Sequence, residues 1–299
     1  MAYPHDQVFF VILLLEAVMG SFSSFSMIAC LYTKGFQKKN MMTYSRILIP
    51  HNVSNICYTI VFSVNIAISF LKQELYNNVY VCYISTCAIL YSITSSLWLT
   101  GVLCVFYFMK IIPSQPGLLT TLKSRMDVVI RWLIILAEVV SLGGSFLSTA
   151  TSYSLSNQWN SSASVTKLME ETNAQSVRFV NIVLFLNSLP FLIIMLTTIG
   201  SAWFLKLYDS QIQKNLVTSG NSCVRSYRAA IKTMIGLLVL YSSILVSVII
   251  SCLNLAPYPS LRYWMCLMVF FSFPSVLSAL LICGNPKLKE AFLHMFLCS

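Results

Sequence analysis

The residues best able to do chemistry are scattered along this chain. Its ten cysteines stand singly, with no Cys-x-x-Cys pair, and none of its three histidines lies at metal-ligand spacing from another ligand residue. We find no His-Glu-x-x-His motif, no glycine-rich phosphate loop and no paired nucleophile and base. Single cysteines of this kind are weak support for a zinc site or a disulfide framework. The pattern therefore predicts no metal, no cofactor and no enzymatic activity.

Two carboxylates, Glu16 and Glu138, stand inside long apolar stretches. An ionisable side chain within a membrane span is costly and is by default a functional-site hypothesis. A proton-linked switch and a local polar lock are both open interpretations. A second group of polar residues interrupts the apolar stretch at 47–71, namely Pro50, His51, Asn52, Asn55 and Asn65. If that stretch crosses a bilayer, its polar side must face the interior of a helix bundle.

The composition shows what must position these residues. Of 299 residues, 57% are hydrophobic and only 9% are charged, whereas a soluble domain carries roughly 25% charged residues. A bilayer crossing needs about 20 mostly apolar residues, and seven stretches are long enough: 8–33, 47–71, 79–111, 128–151, 179–207, 229–255 and 262–283. We therefore predict an all-α membrane protein with one seven-helix transmembrane domain over 1–299, which includes a short amphipathic cytoplasmic tail at 286–299. A soluble enzyme, a disordered regulator and a fibrous protein are excluded.

The basic residues predict the orientation of this bundle. Fifteen lysines and arginines fall in the connections on one side and four on the other, a strong positive-inside bias. The N-terminus is therefore expected outside and the C-terminus in the cytoplasm, in a multi-pass protein of the plasma membrane. The net charge of +10 then fixes topology and does not indicate nucleic-acid binding. Seven spans in this orientation are typical of a G-protein-coupled receptor.

One acceptor tripeptide agrees with this orientation. Asn160-Ser161-Ser162 matches the N-glycosylation pattern and falls in the longest predicted outer loop, 152–178. Asn160 is therefore a predicted glycosylation site. On the opposite side, Cys298 at the end of the tail is a candidate for acylation.

The third and seventh spans carry the most specific motifs. The acidic-Arg-Tyr triplet and the Asn-Pro-x-x-Tyr motif of the commonest receptor class are both missing. The third span instead ends Trp98-Leu99-Thr100-Gly101-Val102-Leu103-Cys104-Val105-Phe106-Tyr107-Phe108-Met109-Lys110-Ile111, and the seventh contains Pro274-Ser275 and ends Asn285-Pro286-Lys287-Leu288-Lys289. Leu189-Pro190-Phe191 lies in the fifth span. Together these stretches resemble the type 2 taste receptors, the bitter-taste family.

The chain departs from the family pattern at several positions. Ser24 stands where the family has a first-helix Asn, and the second-helix pattern L-A-x-S-R reads His51-Asn52-Val53-Ser54-Asn55. Asn55 is thus expected to hydrogen-bond inside the bundle in place of the family's Arg, with a weaker inactive-state lock. Ile89 and Ile93 occupy positions that hold ligand-contacting Trp and Asn in many members. The resemblance is therefore to a divergent member.

The resemblance implies a receptor that binds small bitter-type molecules in the outer half of the bundle and activates a heterotrimeric, gustducin-like G protein. The implied agonist site is mostly apolar, which suits an apolar or amphipathic molecule. Its expected residues are Asn65, Ile66, Ile89, Leu90, Ile93, Thr94, Ile182, Leu186, Leu267 and Phe270. A vomeronasal type 1-like pheromone receptor and, from another class, a seven-helix membrane transporter remain alternatives.

Two further sets complete the predicted site residues. Basic residues at the cytoplasmic helix ends form the expected G-protein-facing surface, Lys110, Lys206, Lys214, Arg228 and Lys232, and they also suit attraction to anionic lipid. Structural or switch roles are expected for Glu16, Asn55, Tyr107, Pro190, Pro274 and Asn285. The expected partners are therefore a G protein, a small-molecule agonist and the lipid bilayer, and no nucleic acid.

Overall fold

The computed structural model describes residues 4–32, 39–71, 78–112, 125–158, 165–215, 221–252 and 260–297, and these contain helices and no strand. The helices are α1 (Pro4–Leu31), α2 (Lys39–Leu71), α3 (Val79–Ile111), α4 (Met126–Gln158), α5 (Val165–Asn215), α6 (Asn221–Cys252), α7 (Leu261–Gly284) and α8 (Pro286–Leu297).

Helices α1 to α7 are each long and apolar enough to cross a membrane, which confirms the seven predicted spans. The helices extend beyond the apolar stretches. Residues 152–158 and 165–178, predicted as part of an outer loop, continue α4 and begin α5. That prediction was wrong because hydropathy marks where a helix meets lipid, whereas Lys, Leu, Met, Glu, Ala and Gln in 165–175 favour helix in water as well.

Helix α3 is the central helix of the bundle. About two thirds of the residues in its most apolar segment are buried inside the protein, whereas about one fifth are buried in the corresponding segments of α1 and α5. Helix α3 packs against α2, α4, α5 and α6. The polar residues of α2 also face inward, with His51, Asn52 and Asn55 almost completely buried. The lipid-facing sides instead carry exposed apolar residues such as Trp132 and Trp203. This arrangement inverts the pattern of a soluble protein, as a lipid environment requires.

Small residues bring the inner ends of α6 and α7 close together. A methyl group added to Gly236 would lie 2.7 Å from a terminal carbon of Leu280, and one added to Gly284 would overlap the side chain of Thr233. Gly284 has no room for a side chain, and a side chain at Gly236 would require the end of the Leu280 side chain to move. The inner ends of these two helices are therefore in direct backbone-to-side-chain contact.

Helix α8 follows α7 after Asn285, which caps α7 in an extended conformation. Leu288 is fully buried, and Ala291, Phe292 and Met295 pack against the main apolar core. These residues fall on one face of a helix, as the sequence pattern predicts. Lys289 and Glu290 on the other face are exposed, so α8 is amphipathic.

Candidate ligand site between α3, α5 and α6

A narrow, partly open recess with an enclosed volume of about 10 Å³ lies between α3, α5 and α6 in the predicted outer half of the bundle. Because α3 and α5 run inward and α6 runs outward in the predicted orientation, Leu97, Phe191 and Tyr241 form its deep end. The residues that line it are Ile93, Leu97, Val183, Leu184, Asn187, Phe191, Tyr241, Ile244, Leu245 and Val248. Eight of the ten are apolar, and none is charged. Such a lining suits a ligand held by desolvation and oriented by few polar contacts.

Asn187 is one of two polar residues in the lining, and sequence reasoning missed it. Its side chain is 6% exposed, and its Nδ2 donates to the carbonyl oxygen of Val183 at 2.7 Å. Its Oδ1 is buried, and none of the described residues is a hydrogen-bond partner for it. The available signal was a lone amide that directly follows the apolar run 182–186 of α5 and stands three residues before Pro190.

Tyr241 is the other polar residue, and it joins the recess to the centre of the bundle. Its hydroxyl donates to the backbone carbonyl of Ser96 at 3.0 Å. It also lies 3.1 Å from Ser96 Oγ and 2.8 Å from Thr100 Oγ1. One hydroxyl of α6 is thus bound to two successive turns of α3, while the ring above it forms the end of the recess.

The hydrogen bonds continue from α3 into α2. Ser96 Oγ donates to Asn55 Oδ1 at 3.1 Å, and Asn55 Nδ2 lies 3.3 Å from His51 Nδ1. Since an amide nitrogen can only donate, His51 Nδ1 is the acceptor and Nε2 carries the proton. That Nε2 lies 2.9 Å from Thr100 Oγ1. The five side chains form one buried network across α2, α3 and α6.

Glu138 of α4 holds the opposite side of α3. Its two carboxylate oxygens accept separate hydrogen bonds, from the Tyr91 hydroxyl at 2.7 Å and from Ser95 Oγ at 3.0 Å. Ser95 Oγ is also 3.0 Å from Ser54 Oγ of α2. Glu138 therefore binds α4 to α3. One of its partners, Ser95, directly precedes Ser96, which hydrogen-bonds Tyr241.

The structure distributes the ten residues predicted to contact agonist among several environments. Ile93 lines the recess. Ile66 and Leu267 instead lie in an apolar cluster with Trp264 and Phe271, and Phe270 packs edge-on against Phe62. Aromatic side chains thus fill the space between the outer parts of α1, α2 and α7.

The remaining predicted contacts are not among the residues that line the recess. Leu186 faces α4, since a methyl group on Gly144 would lie 2.5 Å from its terminal carbon. Thr94 is buried. The others are half-buried residues of α2, α3 and α5, namely Asn65, Ile89, Leu90 and Ile182.

The predicted G-protein-facing residues lie at the inner helix ends. Lys206, Arg228 and Lys232 are exposed, and Lys110 is exposed with its ammonium 4.5 Å from the Phe106 ring centre. Lys214 lies in the last turn of α5, and its side chain is not among those that the structure describes. Asn160 and Cys298 also lie outside the described residues.

The predicted structural residues occupy helix contacts. Tyr107 donates to the Tyr44 hydroxyl at 3.3 Å, and Tyr44 also hydrogen-bonds the side chain of Asn285, so α2, α3 and the end of α7 meet there. Pro190 and Pro274 are both buried within helices, Pro274 against Gly20. Glu16 is half-buried, and no described residue donates a hydrogen bond to its Oε2.

Seven membrane-spanning helices, a recess in the outer half and basic inner helix ends define a seven-helix receptor. The chain belongs to the taste receptor type 2 family, because a sequence model described as taste receptor protein (TAS2R) matches residues 1–299. It is thus a bitter chemosensory receptor, a multi-pass membrane protein and not an enzyme. Membership implies small-molecule ligands and coupling to a G protein. The vomeronasal and transporter alternatives are not favoured.

Curated relatives match at low identity over most of their length. Taste receptor type 2 member 39 of Homo sapiens is 26% identical over 286 residues, covering 94% of this chain and 84% of the relative. The Mus musculus member 39 is 24% identical over 287 residues, covering 94% and 88%. Taste receptor type 2 member 40 of Gallus gallus is 23% identical over 285 residues, covering 94% and 91%. These values agree with the divergence expected from the motifs.

Proposed function

We propose that this receptor binds small, mostly apolar bitter-type molecules in the recess between α3, α5 and α6. The observation that carries the proposal is the recess itself, which is lined almost entirely by apolar side chains and ends on Tyr241. Burial of apolar ligand surface contributes roughly 25 cal/mol per Å², which is the main source of affinity at such a site. None of the ten described lining residues carries a carboxylate, so an ammonium group on the ligand would meet no counter-ion among them.

Agonist binding is transmitted through Tyr241. A ligand shifts a conformational equilibrium only if it binds one arrangement better than the other. A molecule seated against the Tyr241 ring favours an arrangement in which the hydroxyl leaves Ser96 and Thr100, and this frees α6 from α3. The inner end of α6 then separates from α7, where Thr233 and Gly284 now touch.

The partner at the inner face is a heterotrimeric, gustducin-like G protein. Its docking surface includes Lys110, Lys206, Lys214, Arg228 and Lys232, whose positive charge complements an acidic partner. Displacement of α6 changes the spacing of Arg228 and Lys232 relative to Lys110 of α3. In this proposal the receptor acts at the plasma membrane, with Asn160 glycosylated outside and Cys298 acylated inside.

Calcium imaging tests this function directly. Cells that co-express the receptor and a gustducin-type Gα are exposed to a broad panel of bitter compounds, with surface expression measured on the same cells. A concentration-dependent calcium response that requires the Gα is expected. Silence across the panel at confirmed surface expression contradicts the proposal, and Gα-independent uptake of a labelled compound would instead support a transporter.

A further inference from the structure

Asn187 is one of the two polar residues that line the recess, and its side-chain oxygen is unpaired among the described residues. The residue lies on α5 in the middle of the recess wall, with Val183 one turn before it and Phe191 one turn after it. Its side chain is almost completely buried, and no residue in the described part of the chain hydrogen-bonds its Oδ1. Buried polar groups in proteins are nearly always paired, so this oxygen requires an explanation.

The hydrogen bond of the Asn187 side-chain nitrogen shows which end of the amide is unpaired. The carbonyl oxygen of Val183 lies 2.7 Å from the side-chain nitrogen, and a carbonyl oxygen can only accept a hydrogen bond. A flipped amide would place two acceptors against each other. The nitrogen must therefore face Val183, which leaves Oδ1 as the free group.

The other described residues that line the recess do not offer a free hydrogen-bond donor to this oxygen. Eight of the ten lining residues are apolar, and the Tyr241 hydroxyl is already engaged by Ser96 and Thr100. Asn187 thus differs from Thr198 on the same helix, whose hydroxyl donates to the carbonyl of Ile194 at 2.6 Å. Asn187 lines the recess, and its Oδ1 takes no part in the described internal bonding of α5.

We propose that Asn187 Oδ1 accepts a hydrogen bond from the agonist and so selects apolar molecules that carry one O–H or N–H donor. This inference rests on the proposed function. The donor is placed about mid-way along the recess, at the level of Asn187, and the apolar body contacts Ile93, Ile244 and Val248. A methyl ether keeps the apolar body, adds one methyl group and has no donor, so it leaves the acceptor unpaired and binds less well.

Matched pairs of compounds test the inference. The probes are apolar phenols and alcohols, such as thymol, each paired with its O-methyl counterpart. Calcium responses are recorded for wild type, Asn187→Leu and the control Thr198→Val. In wild type the donor-bearing member of each active pair should be about tenfold more potent, the usual effect of one hydrogen bond to a buried group.

The variants separate the role of Asn187 from a general effect on α5. Asn187→Leu should remove the difference within each pair, and Thr198→Val should keep it. Equal potency of the two members in wild type overturns the inference without any variant, as does a difference that persists in Asn187→Leu. In both cases the response itself upholds the proposed function. Silence of wild type to every compound, at confirmed surface expression, counts against the proposed function instead.

Discussion

The hydroxyl of Tyr241 lies 3.0 Å from the backbone carbonyl oxygen of Ser96, so α6 is hydrogen-bonded directly to the backbone of the central helix. The ring of the same residue ends the ligand recess. One side chain is therefore in contact with the proposed agonist and with the network that holds α2, α3 and α6 together. This relationship is the physical basis of the coupling proposed above.

Tyr241→Phe should raise ligand-independent signalling. The substitution keeps the ring and removes only the hydroxyl, and the Ser96 carbonyl still accepts a bond from Thr100 Oγ1 at 2.9 Å. Without the hydroxyl, the inactive arrangement, which contains this hydrogen bond, is destabilised by about 1 kcal/mol. The conformational equilibrium then shifts roughly fivefold toward the active arrangement. Basal calcium or inositol phosphate signal per surface receptor is the measurement. An unchanged basal signal with weaker agonist potency would contradict the coupling role.

Gly284→Ala should also raise basal signalling, by separating the inner ends of α6 and α7. The added methyl group overlaps the Thr233 side chain, and this contact outweighs the gain of about 1 kcal/mol in helix propensity. Gly143→Ala is the matched control, because a methyl group there meets nothing within 4 Å. Thr233→Gly combined with Gly284→Ala should restore the wild-type signal. A Gly284→Ala receptor as quiet as the Gly143→Ala control would show that this contact does not hold α6.

Glu138→Leu should destabilise the receptor, since it leaves the hydroxyls of Tyr91 and Ser95 without their acceptor. Loss of both hydrogen bonds is expected to lower the free energy of unfolding by about 1–3 kcal/mol. Glu138→Gln should lie between wild type and Glu138→Leu, because its Oε1 still accepts one of the two bonds. The thermal midpoint of the detergent-solubilised receptor measures this. Val139→Leu, at a lipid-facing position 63% exposed, is the control. A Glu138→Leu midpoint at or above the wild-type value would contradict the account.

Asn160 should carry an N-linked glycan if the N-terminus is outside. Treatment of cell-surface receptor with peptide N-glycosidase should then increase its gel mobility, and Asn160→Gln should reproduce that mobility without the enzyme. Asn52-Val53-Ser54 matches the same tripeptide, but Asn52 is completely buried within α2, so it is expected to stay unmodified. A mobility shift that persists in Asn160→Gln would place the glycan elsewhere.

The sequence was sufficient for the number of spans, their order and the buried polar side of α2. These features depend on hydropathy and on the cost of exposing polar groups to lipid, which are properties of each segment alone. The amphipathic tail is predictable for the same reason, since Leu288, Ala291, Phe292 and Met295 share one face of a helix.

The recess and the hydrogen-bond network needed the structure. Hydropathy does not give the rotation of one membrane helix against another, so it cannot tell that Ile93 faces the recess while Leu186 faces Gly144. Glu138 meets Tyr91 and Ser95 from more than 40 residues away in sequence. Asn187 carries no motif, and its free oxygen becomes evident only when the carbonyl of Val183 is placed beside its nitrogen.

Obstruction of the recess is the most direct test of the account. Ile244 is buried and lines the recess, whereas Val246, two residues away on α6, is 54% exposed on the lipid side. Concentration–response curves for an agonist of the wild-type receptor are recorded for Ile244→Trp and Val246→Trp at matched surface expression. The account predicts a potency loss of more than about tenfold for Ile244→Trp and a wild-type curve for Val246→Trp. Wild-type potency in Ile244→Trp would contradict agonist binding between α3, α5 and α6.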